Sequence, residues 1–261
     1  MFPTIELFGR SIPTYWVCAL IGFAVCGAVA VFRHRAFGDL AQVDVTNTAA
    51  LIGIGIVAGG RLLYIVTMLP VIIRNREIFR QDPHLLYELL SNGLVFYGGL
   101  FGAILMLYLY SKHYKLDRKA FFDFFIPLFP LFHAFGRIGC FLTGCCHGVV
   151  SERFGIAFTR SASAPNGVPF FPIQLVCAVC DLILFAFLLW FEKRRHREGK
   201  ALPCYLVVYA VGRFMIEFFR GDEIRGFILG LSTSQWISLL VLLVLAVLNL
   251  RALTKRRKAL S

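Results

Sequence analysis

Seven stretches of this sequence stay apolar for about as long as a helix needs to cross a bilayer core, roughly 20 residues at a rise of about 1.5 Å each. They run over residues 12–32, 49–70, 93–111, 121–143, 172–191, 203–220 and 232–250. Backbone in hydrocarbon must satisfy its own polar groups, and uninterrupted runs of this length do so as helices. The expected fold class is therefore all-α, a polytopic membrane protein with seven transmembrane helices. An apolar fraction of 58% over 261 residues belongs with that class. No repeat, low-complexity tract or linker divides the chain, so residues 1–261 are expected to form a single integral membrane domain. The first run ends in Ala28-Val29-Ala30, a cleavage-like pattern. It lacks a basic leader and is followed by Arg33-His34-Arg35, so it reads as a retained span.

A formal charge of +12 raises a nucleic-acid reading, which the placement of the charge removes. More than half of the 27 Lys and Arg fall in the short segments after runs 1, 3, 5 and 7, such as Lys112 to Lys119, Lys193 to Lys200 and Arg251 to Lys258. That asymmetry is a topology signal, which puts the N-terminus outside and the C-terminus in the cytoplasm, with no nucleic-acid partner. The basic C-terminus is expected to lie against anionic lipid headgroups. With this orientation Arg61, Arg137, Arg213, Glu217 and Arg220 lie halfway across the membrane or further out, and Tyr97 just inside the outer boundary.

The most polar of the spans carries HAFGRIGCFLTGCCHG, His133 to Gly148. Charged groups in hydrocarbon are expensive, so their presence needs a use. His133, Arg137 and Cys140 fall at i, i+4 and i+7, one stripe of a helix. Gly144 and Gly148 then bracket Cys145, Cys146 and His147, the pattern of a helix end turning into a tight loop. Such a loop beside an arginine can grip a phosphate, although a buried Arg can equally satisfy helix-end carbonyls. In the sixth span Tyr209, Arg213, Glu217 and Arg220 recur at i, i+4, i+8 and i+11. A Glu between two arginines stays ionised, orients both guanidiniums and leaves a positive surplus that suits an anion. Gly53, Gly55, Gly59 and Gly60, with Gly98 and Gly102, read as close helix packing rather than a nucleotide loop, and Arg61 follows as a ligand contact or a structural pairing. Asp181 is expected to find a partner across the bundle.

Five of the eight cysteines lie in or beside apolar runs as small core residues. Cys140, Cys145 and Cys146, with His147, form a cluster whose spacing matches no standard zinc pattern. No metal and no cofactor are expected from it. A thiol-based redox or metal-handling protein, or a non-catalytic lipid-binding paralogue, is the alternative reading of the same scaffold.

The residues taken together resemble the bacterial prolipoprotein diacylglyceryl transferase family over nearly the whole chain. The matching pieces are GGR at Gly59 to Arg61, FYGGL at Phe96 to Leu100, DFFIP at Asp123 to Pro127, GRIG at Gly136 to Gly139, Gly148, FPIQL at Phe171 to Leu175, and Tyr209 through Arg220. The resemblance implies transfer of diacylglyceryl from phosphatidylglycerol to the lipobox cysteine of a preprolipoprotein, releasing glycerol phosphate, in the bacterial inner membrane. It implies that Arg137 and Arg213 hold the lipid phosphate. Tyr209, Glu217 and Arg220 would stand beside them, and Arg61, Gly148 and Gln174 would lie on the substrate side. The partners implied are phosphatidylglycerol, the preprolipoprotein signal peptide and the membrane lipids. The chain departs from the family pattern at Tyr97, where a histidine is usual, at Cys140, Thr143 and Cys145, where Asn and Glu are usual, and at Val176 and Cys177 after Gln174. Tyr97 lowered by nearby arginines, His133 or His147 is then the expected proton acceptor.

Overall fold

A computed structural model of the chain describes residues 2–7, 9–37, 42–91, 93–161, 163–195, 198–221 and 227–258. A short hairpin, β1 (Thr4–Leu7) with β2 (Arg10–Pro13), runs straight into α1 (Thr14–Phe37). There follow α2 (Gln42–Arg74), α3 (Arg76–Gln81), α4 (Pro83–Ser91), α5 (Phe96–His113), α6 (Arg118–Phe125) and α7 (Leu128–Thr143). The second half comprises β3 (Ile156–Ala157), β4 (Pro169–Phe170), α8 (Ile173–Arg195), α9 (Ala201–Ile216), β5 (Phe227–Ile228), β6 (Leu231–Ser232) and α10 (Thr233–Lys258). Among the described residues the strands form three separate antiparallel pairs, each between sequence neighbours.

Among the described residues, six stretches are long and apolar enough to cross a membrane: 14–34, 44–74, 118–143, 173–194, 201–219 and 233–254. The protein is therefore a multi-pass membrane protein, mostly helical. The expected third span is α5, whose 18 residues end on the polar Ser111, Lys112 and His113, and this shortened apolar run leaves it outside the six. The expected fourth span is two helices, α6 and α7, broken at Ile126 and Pro127. A proline has no N–H to continue the first helix, yet its fixed φ suits the start of the second.

The chain divides into two compact units, residues 30–121 and residues 1–29 with 122–261. Within residues 30–121, α2 and α5 pack glycine against glycine. A Cβ on Gly102 would lie 2.0 Å from the Gly55 carbonyl oxygen, and one on Gly59 would lie 2.3 Å from that of Gly98. Only glycines four residues apart on both helices permit this approach, as the sequence led us to expect. Near the other end of α5, the Tyr110 hydroxyl donates to Asp44 Oδ1 over 2.8 Å.

In the second unit α7 is the central element. Gly22 of α1 meets α7 so closely that a Cβ would fall 2.7 Å from that of Phe135. Asp123 of α6 ties the start of α9, its two carboxylate oxygens accepting from the backbone N–H groups of Gly199 (2.8 Å) and Ala201 (2.9 Å). These are donors that a helix start leaves unpaired, and an ionised acceptor there also meets the positive end of the helix dipole. The segment between α7 and α8 carries the β3–β4 pair and a small core of Phe158, Ala164 and Phe170 packed on Phe141.

Candidate active site

The helical stripe on α7 is real, and the residue that anchors it comes from α8. His133, buried, places Nδ1 2.8 Å from Asp181 Oδ2, while its Nε2 stands 3.1 Å from Arg137 Nε. A guanidinium nitrogen can only donate, so Nε2 is the acceptor, the ring proton sits on Nδ1, and His133 donates it to Asp181. Asp181, His133 and Arg137 thus form a buried chain in which each group fixes the next. The Tyr209 ring meets His133 edge to face at 5.7 Å, which brings α9 to the same place.

Arg213, one turn along α9 from Tyr209, is buried. Its Nη2 donates to Ser234 Oγ of α10 at 3.0 Å and pairs with Glu217 Oε2 at 2.8 Å. Its Nη1 is equally buried and has no hydrogen-bond partner among the described residues. Arg213 lies within electrostatic range of Arg137, Tyr209, Arg220 and Glu217. Among the described residues, three guanidiniums therefore face two carboxylates, Glu217 and Asp181, with His133 neutral. Like charges held together away from water are costly, and an anion relieves that cost while giving Nη1 an acceptor.

The loop after α7 brings the third arginine in. Gly144 adopts a left-handed conformation (φ 75°). The N–H groups of Gly144 and Cys145 bond back to the carbonyls of Phe141 (3.2 Å) and Cys140 (3.0 Å), the glycine stop that the sequence spacing implied. Gly148 then pairs antiparallel with Arg220. A Cβ on Gly148 would lie 2.6 Å from the Phe171 carbonyl oxygen and 2.9 Å from that of Phe219, so no side chain fits. Gln174, fully buried, donates from Nε2 to the Cys145 carbonyl at 2.8 Å. Its observed part is to pin the loop. His147 contributes Nδ1 to the Gly148 carbonyl at 3.0 Å and lies 4.1 Å over the Phe170 ring.

The expectation that Tyr209 through Arg220 share one helical face holds only as far as Glu217. Helix α9 ends at Ile216, a single 3-10 turn covers Glu217–Phe219, and Arg220 is extended (φ −91°, ψ 138°), because the chain leaves the helix to pair with Gly148. Arg61 and Tyr97 belong to the other unit. Arg61 Nη1 donates to the carbonyls of Leu90 (2.8 Å) and Gly93 (3.0 Å), the structural use of a half-buried arginine. Tyr97 is buried between the rings of Phe96 and Phe101.

Two contributors carried little or no signal in the sequence. Ser234 is an unremarked serine at the start of a span. Asp181 was visible as an acid in mid-span needing a partner, but which partner depends on how α7 and α8 pack. The sulfurs of Cys140, Cys145 and Cys146 also converge, all within 4.8 Å of one another, and none of the chain's eight cysteines forms a disulfide.

Membrane-length helices with buried arginines among them, two oriented by carboxylates and one donor left open, define an integral membrane protein with a cationic interior site. The chain belongs to the prolipoprotein diacylglyceryl transferase family, whose family model matches residues 4–251. It is 37% identical to the phosphatidylglycerol–prolipoprotein diacylglyceryl transferase of Clostridium tetani, over 92% of each chain. It is 35% identical to such a transferase, numbered 2, of Clostridium perfringens, over 91% of this chain and 90% of the relative. The figures for the transferase of Idiomarina loihiensis are 33%, 76% and 73%.

Proposed function

We propose that this protein transfers a diacylglyceryl group from phosphatidylglycerol to the lipobox cysteine thiol of preprolipoproteins, the first step of lipoprotein maturation. The observation that carries the reading is the open, buried Nη1 of Arg213 beside Arg137, in a chain of this family. The two guanidiniums grip the phosphate of the donor lipid. As the acceptor sulfur forms its bond to the glyceryl carbon, the C–O bond to phosphate breaks and the electron pair leaves on the phosphate oxygen. Preorganised cations in a low-dielectric site stabilise that developing charge without reorganising.

Glu217 and Ser234 hold Arg213 in plane, and Asp181 through His133 does the same for Arg137. His133 is then a positioning residue rather than the base, because Arg137 occupies its basic nitrogen. Arg220, Tyr209 and Gly148 complete the wall, Gln174 fixes the loop, and His147 lines it. The family resemblance also implies a part in the reaction for Tyr97, as a proton acceptor, and for Arg61, on the substrate side. In this reading both units are parts of one domain of seven spans in the bacterial inner membrane. The N-terminus lies outside, the C-terminus lies inside against anionic lipid, and the site opens to the outer leaflet, where the signal peptide of the acceptor enters between the helices.

The experiment is a reconstituted assay. Purified protein is given radiolabelled phosphatidylglycerol and a lipobox peptide, and label appears in the peptide with release of glycerol phosphate. A cysteine-to-serine lipobox peptide remains unlabelled. Failure of the wild-type protein to label any lipobox peptide from any phosphatidylglycerol would contradict the reading.

A further inference from the structure

The transferase reading leaves one requirement unmet. The acceptor sulfur must arrive as a thiolate, since a thiol of ordinary pKa near 8.5 is mostly protonated at neutral pH. His133 cannot take the proton while its Nε2 accepts from Arg137. Three other thiols stand at the end of the same helix.

We propose that Cys140, Cys145 and Cys146 are three ligands of a soft divalent cation of the zinc class, whose fourth position takes the acceptor cysteine sulfur as a thiolate. This inference rests on the transferase reading above.

The sulfurs already nearly meet the geometry. Zinc–sulfur bonds of about 2.3 Å in a tetrahedral site set sulfurs about 3.8 Å apart. The three here lie within 4.8 Å of one another, and sulfurs at that separation reach the tetrahedral spacing by moving about 0.6 Å each. Cys145 and Cys146 are neighbours in sequence, and side chains of neighbours ordinarily diverge. Cys146 has a left-handed backbone (φ 55°), one of three non-glycine residues so placed among the described residues. Such a conformation is retained where surrounding structure holds it, and it characteristically marks sites with a task.

The cluster is also held from behind. Gly144 ends α7 so that the Cys145 N–H returns to the Cys140 carbonyl, Gln174 grips the Cys145 carbonyl, and Gly148 is paired to Arg220. Three preset ligands with backbone support are what a metal site requires before the metal arrives.

The ligand count points to catalysis rather than structure. Among the described residues no fourth cysteine, histidine or carboxylate joins the cluster. A closed structural zinc site has four protein ligands, while a catalytic one has three and keeps a position open. All three cysteines are only half-buried, so a substrate sulfur can reach them. Four thiolates on a divalent cation carry a net charge of −2, which is costly in a low dielectric unless offset. Arg220 and Arg137 both lie within electrostatic range of Cys146.

The chemistry balances without an oxidant or reductant. Coordination removes the acceptor S–H proton to water, because a thiol bound to such a cation is deprotonated outright. The coordinated sulfur attacks the glyceryl carbon, the S–C bond forms, and the C–O bond to phosphate breaks. The electron pair departs on the phosphate held by Arg137 and Arg213. The product is a neutral thioether, a weaker ligand than a thiolate, and it leaves the cation ready for the next acceptor.

The test uses the full chain in detergent. Protein stripped with a chelator is titrated with Co²⁺, which reports thiolate ligation through a charge-transfer band. The expected result is one Co²⁺ per chain and a spectral change when lipobox peptide is added without lipid. Loss of the band is expected in Cys140→Ser, Cys145→Ser and Cys146→Ser. In the transfer assay, chelation abolishes labelling and Zn²⁺ restores it. Chelated wild-type protein that labels peptide undiminished, or that shows no charge-transfer band with Co²⁺, would overturn the metal site while leaving the transferase reading standing. A cobalt band in protein that labels no peptide with any metal would overturn the transferase reading, and with it the role of the fourth position. Because the decisive titration is on wild-type protein, misfolding of a serine variant does not decide the outcome.

Discussion

His133 Nδ1 lies 2.8 Å from Asp181 Oδ2, and through this pair α8 determines the orientation of an arginine on α7. With the carboxylate accepting on one side of the ring, the other ring nitrogen is fixed as an acceptor for Arg137 Nε. A buried hydrogen bond to a charged group contributes about 1.5–3 kcal/mol, which is roughly ten- to a hundredfold in a rate or binding constant. Asp181→Ala is expected to lower kcat/KM by that factor, with a raised KM for phosphatidylglycerol. Asp181→Asn keeps an acceptor oxygen and should recover part of the loss. Steady-state kinetics over a range of lipid concentrations distinguish this from a general loss of folded protein, which would lower kcat alone.

The glycine contact between α2 and α5 gives a prediction about stability. A side chain at Gly102 meets the Gly55 carbonyl at 2.0 Å, a backbone atom that cannot swing aside. Gly102→Val must therefore push the helices apart, and overpacking of this kind costs about 1–3 kcal/mol or more. Thermal unfolding in detergent should occur at a lower temperature for Gly102→Val. Gly27→Ala, at a glycine with nothing within 4 Å, should unfold with the wild type.

Asp123 acts as the cap of a helix that begins well after it in sequence. Its carboxylate holds the N–H groups of Gly199 and Ala201, and replacing a capping side chain by alanine costs about 1 kcal/mol. Asp123→Ala should lower the unfolding temperature. Backbone amides at the start of α9 should also exchange faster with deuterium, with the rest of α9 protected as before. Unchanged exchange at Gly199 and Ala201 would show that the cap is not needed.

What was legible in the sequence follows from which forces are local. The lengths of the apolar runs are set by the bilayer, so six of the seven expected spans are helices that meet the length and composition a membrane requires. The stripe of His133, Arg137 and Cys140 and the stop at Gly144 depend only on helical spacing and on glycine's access to left-handed backbone, and both are present. The pairing of His133 with Asp181 and of Arg213 with Ser234 depends on how separate helices pack, which no single-chain periodicity reports. Arg220 was placed on the α9 face because the apolar run continues through it. The helix stops short because the backbone there is claimed by Gly148. The thiol cluster was visible as three residues but not as a site, since the convergence of Cys145 and Cys146 depends on one left-handed residue that is not a glycine.

The central claim is that Arg137 and Arg213 together seize the phosphate of the donor lipid. The most direct measurement is the transfer of label from phosphatidylglycerol to a lipobox peptide by Arg137→Ala and Arg213→Ala, each shown to be folded by its unfolding temperature. Both variants are expected to lose transfer by a hundredfold or more, about the effect of removing a preorganised donor from a developing charge. Arg213→Lys, which keeps the charge but cannot reach Glu217, Ser234 and the phosphate at once, is expected to stay well below wild type. Near-wild-type transfer by either alanine variant would contradict the claim.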